Sequence, residues 1–357
     1  MPGSSAQTPT AGRSALSGRV AGAILAAIRR STGDSQVRFS ERVGVSDKTI
    51  QGWETGLKPL VRLPYTRLRG LHRSLTALGE APSELTRVWE TALAVDELLD
   101  AFGTVDPDRH PLALTVPDRA TSDLISWAIT GQLPRQLRET SAVLHIPRRE
   151  RDQAAAALCE VADRAAPGSA AAAQLRRHAM YLVAGHQGSQ DWIAEQVRGT
   201  MRRPRSELAQ WSPQWPLARS AAVSAAVVGD TEPLTRFIAG GGIDDRNALI
   251  NLTYWAHWSG EIRDVWISDA AMTHPSTDSW SGEQLLAGLL HGIVHAPYRE
   301  LSVHTLTALL ATRRQLATDP RWRPRISSTV EIALTNEGLS GAARRCLDQV
   351  YYLVRSE

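Results

Sequence analysis

Two histidines in the segment "HGIVH", His291 and His295, have the spacing of metal ligands on one helix face. Residues four apart share a helix face, and two imidazoles placed there can bind zinc. The zinc-hydrolase motif requires a glutamate directly after the first histidine, and Gly292 occupies that position. The pattern therefore favours two histidines packed in a helical domain, and neither a metal nor a cofactor is predicted.

Other residues with catalytic chemistry lack the sequence context that a reaction needs. The "GGG" at 240–242 is not followed by Lys-Ser or Lys-Thr, so it predicts a helix end or hinge instead of a phosphate loop. Serine, histidine and aspartate residues occur without a nucleophile-elbow sequence around any serine. We therefore expect a protein that is not an enzyme.

A third kind of chemistry, hydrogen bonding by an exposed helix face, is available in "SDKTIQGWE" at 46–54. In a helix, the three-residue spacing of Ile50 and Trp53 turns both side chains toward the protein core. The outer face then keeps Asp47, Lys48, Thr49, Gln51 and Gly52. A narrow polar face of this kind is what a helix needs to enter the major groove of DNA.

Two short helical patterns, at 35–42 and 46–54, are separated by Gly44. Glycine can adopt a left-handed backbone conformation without a Cβ penalty, and Ser46 can cap the second helix. Two short helices joined at such a glycine form a helix-turn-helix.

The first of these helices supplies the surface against which the second must pack. Phe39 and Val43 are predicted to point into the core of the domain. Between them, the small side chain of Ser40 allows the second helix to cross closely. The sequence therefore predicts that this pair of helices holds the polar face at 46–54 outward.

This region resembles the Cro/C1-type (XRE-like) helix-turn-helix family over residues 17–79. The matching positions are Ser35-Gln36, Phe39-Ser40, Gly44-Val45-Ser46, Ile50 and Trp53-Glu54-Thr55-Gly56. Phe39-Ser40 replaces the more usual leucine-alanine. Gly52 is a further departure, because it weakens the helix by roughly 1 kcal/mol relative to alanine and removes a side chain where some members touch DNA.

The resemblance implies roles for individual residues. Gln36, at a helix N-terminus, would bind a phosphate. The residues that would face bases or the flanking backbone are Asp47, Lys48, Thr49 and Gln51. Lys48 suits guanine, Gln51 suits adenine and Asp47 can accept from cytosine. An alternative role for Asp47 is to complement the helix dipole.

A basic segment, "LKPLVRLPYTRLRGLHR", follows the motif. Its cations could bind phosphates beside the groove, and we expect Lys58 and Arg62 to do so before Arg67 and Arg69. The alternative for Arg69 and Arg73 is the solvated face of a helix.

Charge is distributed unevenly along the 357 residues. Residues 1–80 contain twelve Lys or Arg residues and five acidic ones, although the net charge of the whole chain is only +3. A cation-rich end indicates a polyanionic partner. The two cysteines lack metal-type spacing and no long apolar run occurs, so we expect a cytoplasmic protein without a membrane span.

Helical periodicity dominates the rest of the chain and predicts an all-α fold. The expected parts are a disordered tail at 1–14, the helix-turn-helix domain at 15–79, an acidic amphipathic helix at 80–103, a linker at 104–120 and a larger helical domain at 121–357. The acidic helix is expected to expose Glu84, Glu90, Asp96, Glu97 and Asp100.

Within the larger domain, the pattern of helix, Gly-acid and helix occurs at Gly229-Asp230 and again at Gly260-Glu261. Such recurrence is typical of stacked helical hairpins in a solenoid, although a plain bundle fits equally. Eleven tryptophans against three phenylalanines are a further feature. Those near Pro213 and Tyr254 could line a ligand pocket or partner groove, but gap filling in an alanine-rich core is favoured.

Together these observations predict a sequence-specific DNA-binding transcriptional regulator of bacterial type, associated with the nucleoid. It is expected to bind double-stranded DNA as a homodimer. The larger domain would dimerise, bind a small-molecule effector or recruit a protein partner. The alternatives are a plasmid or phage replication or maintenance factor with the same DNA-binding head, and a helical scaffold whose basic head binds an acidic protein.

Overall fold

The computed structural model describes residues 16–79, 83–102, 106–134, 137, 144–203, 211–240, 245–262, 264–269, 271, 280–335 and 338–355. The fold is all-α, as the periodicity predicts. Within the described residues, the regular exceptions are two short strands, β1 (Val116–Pro117) and β2 (Trp266–Ile267). The tail expected at 1–14 lies outside the described residues.

Helices follow one another along the described part of the chain. In order they are α1 Arg19–Ser31, α2 Gln36–Val43, α3 Asp47–Glu54, α4 Tyr65–Ala77, α5 Ser83–Ala101, α6 Pro111–Leu114, α7 Arg119–Thr130, α8 Arg148–Arg164, α9 Ala170–Leu182, α10 Gln190–Met201, α11 Gln214–Val227, α12 Glu232–Ala239, α13 Asp245–Ser259, α14 Glu283–His295, α15 Arg299–Thr312, α16 Gln315–Thr318, α17 Arg323–Leu334 and α18 Gly341–Arg355. Short 3-10 turns occur at Leu60–Arg62, Pro107–Arg109 and Gln187–Ser189. None of the helices in the described part of the chain is both long and apolar enough to cross a lipid bilayer.

Residue contacts divide the chain into two compact units, in a way that differs from the boundaries expected from sequence. Unit 1 consists of Met1–Pro111, Ala120–Ala166 and Gly185–Ser189. Unit 2 consists of Leu112–Arg119, Pro167–Ala184 and Gln190–Glu357. Unit 1 therefore contains more than the helix-turn-helix and its acidic helix, since α8 and most of α7 belong to it.

In unit 1, α1 packs along α5 and against α3. The predicted apolar stripe of α1 is confirmed, because Val20, Ile24, Leu25 and Ile28 are all fully buried. At Gly22 the backbones of α1 and α3 come into direct contact. A Cβ at this position would lie 2.4 Å from the carbonyl oxygen of Trp53, so only glycine allows this approach.

The acidic face expected on α5 needs correction at Asp96, which is fully buried. Its Oδ1 accepts a hydrogen bond from the backbone N–H of Val20 at 2.9 Å, and its Oδ2 accepts one from Ala21 at 3.0 Å. Asp96 thereby caps α1, whose own cap residue Gly18 offers no side chain. Burial raises the pKa of Asp96 to about 8 despite these two hydrogen bonds. Of the remaining acids, Glu84, Glu90 and Glu97 are exposed and Asp100 is half-buried.

The linker expected at 104–120 also differs from the structure, which describes this region from residue 106 onward. It contains a 3-10 turn, α6 and β1. In unit 2, β1 pairs antiparallel with β2, with Val116 opposite Ile267 and Pro117 opposite Trp266. The proline-rich composition that predicted a linker instead belongs to short ordered elements.

The same strand pair corrects the second copy of the proposed hairpin repeat. The first copy is a helical hairpin, with α11 and α12 packed on each other across Gly229. After Gly260, however, the segment 261–267 that was expected to begin the second helix contains β2 at its end. Elsewhere in unit 2, α14, α15, α17 and α18 share one apolar core with members such as Leu286, Leu306 and Ile326.

Candidate nucleic-acid interface

The turn between α2 and α3 has the geometry that the sequence predicts. Gly44 adopts φ 72° and ψ 37°, in the left-handed region. The backbone N–H of Val45 donates to the carbonyl of Ser40 at 3.0 Å and completes the end of α2. The hydroxyl of Ser46 then accepts from the N–H of Thr49 at 3.2 Å and caps α3.

The packing of α2 and α3 confirms most of the predicted inner surface. Phe39 and Ile50 are fully buried, and Ser40 and Trp53 are nearly so. Val43 is only half-buried, because it lies at the end of α2 beside the turn. The helix pair therefore rests on the expected side chains, with Val43 at the margin of the core.

A buried ion pair fixes the C-terminal end of α3. Glu54 receives hydrogen bonds from Arg29 of α1, Nε to Oε1 at 2.6 Å and Nη2 to Oε2 at 3.1 Å. The side-chain amide of Gln36, at the start of α2, donates to the same carboxylate at 2.8 Å. The amide donor that was expected to bind a phosphate is therefore engaged within the protein, and Gln36 acts here by joining α2 to α3.

The outward face of α3 presents Asp47, Lys48 and Gln51, which are exposed. Thr49 is half-buried, and its hydroxyl lies 2.9 Å from the Ser46 hydroxyl. Asp47 accepts from the backbone N–H of Lys48 at 2.8 Å, within the first turn of the helix. The carboxylate of Asp47 thus complements the positive end of the α3 dipole, while the ends of Lys48 and Gln51 remain available for other partners.

Gly52 corrects the predicted outer face, since it is buried and not exposed. A Cβ at Gly52 would lie 3.0 Å from Cδ and 3.1 Å from Cγ of Lys58. The aliphatic stem of Lys58 therefore occupies the space that a side chain at position 52 would fill. From the sequence, the missing side chain at Gly52 is interpreted as the loss of a possible DNA contact. In the structure it makes room for Lys58, which adds a second cation at the edge of α3.

The cations near α3 fall into two groups. Arg62 lies 3.8 Å from Asp100 and Arg69 lies 3.5 Å from Glu90, so α5 supplies an acid to each. Among the described residues, no acid forms an ion pair with Lys48, Lys58, Arg67 or Arg73. The order expected from sequence therefore changes, because Arg62 already has an acidic neighbour and Arg67 does not.

On the opposite side of the motif, α2 contributes two cations that Asp34 partly neutralises. The buried carboxylate of Asp34 lies 2.6 Å from Arg42 and 3.1 Å from Arg38. Although desolvation opposes it, hydrogen bonds from Arg42 and Thr32 hold the pKa of Asp34 below its ordinary value. Uncompensated positive charge is thus concentrated on α3 and on the segment that follows it.

The histidine pair in unit 2 is not packed in the core as expected. His291 and His295 are both exposed on α14, with ring centroids 4.6 Å apart. The described residues contain no group of three metal-ligating side chains to which this pair could belong. His304 has a separate partner, since its Nδ1 lies 3.4 Å from Sγ of Cys346.

Ser189, His186 and Asp152 of unit 1 are joined by hydrogen bonds that the spacing of these residues in the sequence does not predict. His186 Nδ1 lies 2.9 Å from the hydroxyl of Ser189, and His186 Nε2 lies 2.9 Å from Oδ1 of Asp152. Ser189 is buried, so its hydroxyl is withdrawn from any substrate. These hydrogen bonds connect the turn before α10 to α8, which indicates a structural role.

The tryptophans serve more than one environment. Trp215 is fully buried and packs on Phe237 with ring centroids 5.6 Å apart, as a core residue should. Trp255 and Trp258 are half-buried, and Trp266 is 36% exposed. The expected gap-filling role therefore applies to Trp215, whereas Trp255 borders solvent beside charged groups.

Comparison with profiles of known protein families, with curated proteins and with solved structures gave no match. The interface is therefore interpreted from its own geometry and from the resemblance of its motif residues.

Proposed function

We propose that the protein is a sequence-specific DNA-binding transcriptional regulator that reads the major groove with α3. The observation that carries the proposal is the two-sided character of this helix. Ile50 and Trp53 fix its inner side in the core, while Lys48 and Gln51 point outward from a capped and anchored helix. A rigidly held helix with a narrow polar face can place hydrogen-bonding groups against base edges.

The charges around α3 support this proposal. Lys58 lies against Gly52 at the edge of the helix, and Arg67 follows on α4. These exposed cations would bind phosphates, which supply most of the affinity for DNA and set its register. Lys48 suits guanine and Gln51 suits adenine, so these two side chains would provide the sequence preference.

An eight-residue helix can contact only a few base pairs, so one copy of α3 gives limited affinity. We therefore include a homodimer on two half-sites in the proposal, with a centre-to-centre spacing of about one helical turn. Unit 2 would then provide the regulatory part of the protein.

The proposal is tested by selecting binding sites from a random pool of duplex DNA with the purified full chain. We expect a short enriched motif, and a Lys48→Ala/Gln51→Ala variant should lose about 1–3 kcal/mol of discrimination per base contact. The matched control is Arg345→Ala/Gln349→Ala, which likewise removes one cation and one glutamine, here from the exposed face of α18. Failure to enrich any motif, or equal loss in both variants, would contradict groove reading by α3.

A further inference from the structure

Unit 2 contains an arginine whose position is strictly defined although no acid holds it. Arg219 of α11 is half-buried, and its Nε donates to Oδ1 of Asn251 on α13 at 2.6 Å. Asn251 is oriented in turn by its Nδ2, which donates to the hydroxyl of Thr305 on α15 at 2.7 Å. Three helices therefore fix the guanidinium through its Nε alone.

The other two nitrogens of Arg219 make no hydrogen bond with the described residues, and they are not sealed from solvent. In that part of the chain, Arg219 also has no carboxylate partner. Burial, together with the nearby positive charge of Arg177, lowers the pKa of Arg219 to about 10. A cation that is partly withdrawn from water without a counter-charge is less favourable than a fully hydrated or ion-paired one.

The positive charge of the neighbouring Arg177, in contrast, is compensated by an acidic side chain. Its Nη2 lies 3.2 Å from Oδ1 of Asp269, and its Nη1 donates to the hydroxyl of Tyr254 at 3.0 Å. Although burial opposes the charge, Asp269 and Tyr254 hold the pKa of Arg177 above its ordinary value. Asp269 thus compensates Arg177, and among the described residues no carboxylate does the same for Arg219.

Two aromatic side chains, Trp255 and Tyr298, lie near the Arg219 guanidinium, and Trp255 contributes a second N–H donor. The guanidinium of Arg219 lies over the ring of Trp255, 5.1 Å from its centroid. The Nε1 of Trp255 is buried and has no hydrogen-bond partner among the described residues. The half-buried ring of Tyr298 lies 5.9 Å from the Trp255 ring. The groups left unsatisfied are therefore N–H donors beside flat apolar surfaces.

We propose that Arg219, Trp255 and Tyr298 form a binding site for a small carboxylate with a flat apolar body. A monoanion matches the single charge for which the described residues supply no carboxylate, and a carboxylate matches the two terminal NH2 groups of the guanidinium. The rings would contact the apolar body of the ligand. This site does not depend on DNA binding. If both proposals hold, the carboxylate is the effector of the regulator.

The experiment uses the purified full chain without DNA, titrated with sodium benzoate, sodium acetate and sodium phosphate at constant ionic strength. Calorimetry should detect saturable binding of benzoate that is tighter than binding of acetate or phosphate. Arg219→Met should weaken benzoate binding at least tenfold, and Trp255→Phe, which keeps a ring but removes the N–H, should weaken it severalfold. Arg345→Met on α18 serves as the control for loss of an exposed arginine and should leave binding unchanged.

A second measurement separates a ligand site from a structural role. Without ligand, Arg219→Met should be at least as stable to heat as the parent chain, because the uncompensated charge is gone. A marked loss of stability would identify Arg219 as a structural residue and overturn the proposal. It would equally be overturned by absence of saturable benzoate binding, by tighter binding of phosphate, or by full binding in Arg219→Met. Because no DNA is present, none of these outcomes depends on the proposed regulatory function.

Discussion

Arg29 in unit 1 and Arg219 in unit 2 are both partly buried, but their surroundings differ. Arg29 forms two hydrogen bonds with Glu54, in a pair whose side chains are 12% and 7% exposed. Among the described residues, Arg219 contacts the side-chain amide of Asn251 and the indole ring of Trp255, and it has no carboxylate partner. In a buried ion pair both charges are compensated within the chain. A partly buried arginine without an acid is left with a charge that an anionic ligand could compensate.

The exposed cations on and directly after α3 differ from Arg219 in their contact with water. Lys48 and Lys58 also lack an acid among the described residues, but both are in contact with water. Water solvates such charges well, so an unpaired surface lysine is not by itself a sign of a ligand. The case for DNA therefore rests on how α3 is capped, anchored and oriented, and the case for a carboxylate rests on burial.

The largest expected effect concerns Asp96, a buried carboxyl group whose hydrogen-bond donors are the backbone N–H groups of Val20 and Ala21. Its pKa of about 8 in the folded chain exceeds its ordinary value of 3.8, so the folded state retains a proton that the unfolded chain releases. The free energy of unfolding should therefore fall as pH rises from about 4 to 8, by up to about 5 kcal/mol. Urea denaturation across this range would measure the fall.

Asp96→Asn cannot ionise and provides the control for that experiment. This part of the pH dependence should be absent from the variant. An unchanged slope would mean that other groups cause it and that the carboxylate is stable in its buried position.

The next effect tests the comparison of the two arginines directly. Arg29→Met would leave Glu54 buried without its cation and should cost about 3–5 kcal/mol of unfolding free energy. Arg219→Met should cost far less, because no acid is left behind. Hydrogen-exchange protection of α1 and α3 would report the first change, with the exposed Arg30→Met as the control. Equal costs for Arg29→Met and Arg219→Met would remove the distinction between the two sites.

A smaller effect should link Gly52 with Lys58. Lys58→Ala should weaken DNA binding by about 1 kcal/mol for all sequences, and should reduce the salt slope by about one. Gly52→Ala should displace the Lys58 stem and produce a similar loss, although it favours the helix. The double variant should bind no worse than Lys58→Ala alone in electrophoretic titrations at several salt concentrations. Additive losses would show that the two positions act separately.

The smallest effect is expected at Arg62. Because Asp100 lies 3.8 Å away, Arg62→Ala should change DNA affinity less than Lys58→Ala does. Fluorescence anisotropy with a labelled duplex would rank the two variants, and the opposite ranking would show that Arg62 leaves Asp100 to bind a phosphate.

Local rules account for what the sequence predicts well. Gly44 and Ser46 act through their own backbone and nearest turns, and Ile50 and Trp53 act through spacing within one helix. The position of Asp96 was predicted wrongly, although a signal exists. Asp96 falls four residues after Ala92 and three before Leu99, on the apolar stripe of α5, so spacing should have outweighed its polarity.

Other features depend on residues far apart in the chain. Arg177 and Asp269 are separated by 92 residues, so no local spacing indicates their ion pair. The strand after Gly260 forms because its partner Val116 comes from a distant segment, which a search for repeats cannot detect. The two-unit division has the same cause, since it depends on contacts between distant segments.

The alternation of the chain between the units has a consequence for synthesis. Unit 1 includes Gly185–Ser189, and unit 2 begins at Leu112. A growing chain therefore cannot complete unit 1 at the end of α5. It must extend past Ser189, with β1 already made and awaiting β2, before the last piece of unit 1 can dock. Unit 2 is completed only at the C-terminal end of the chain, at Glu357. A fragment ending after α5 would therefore lack part of unit 1 as well as most of unit 2.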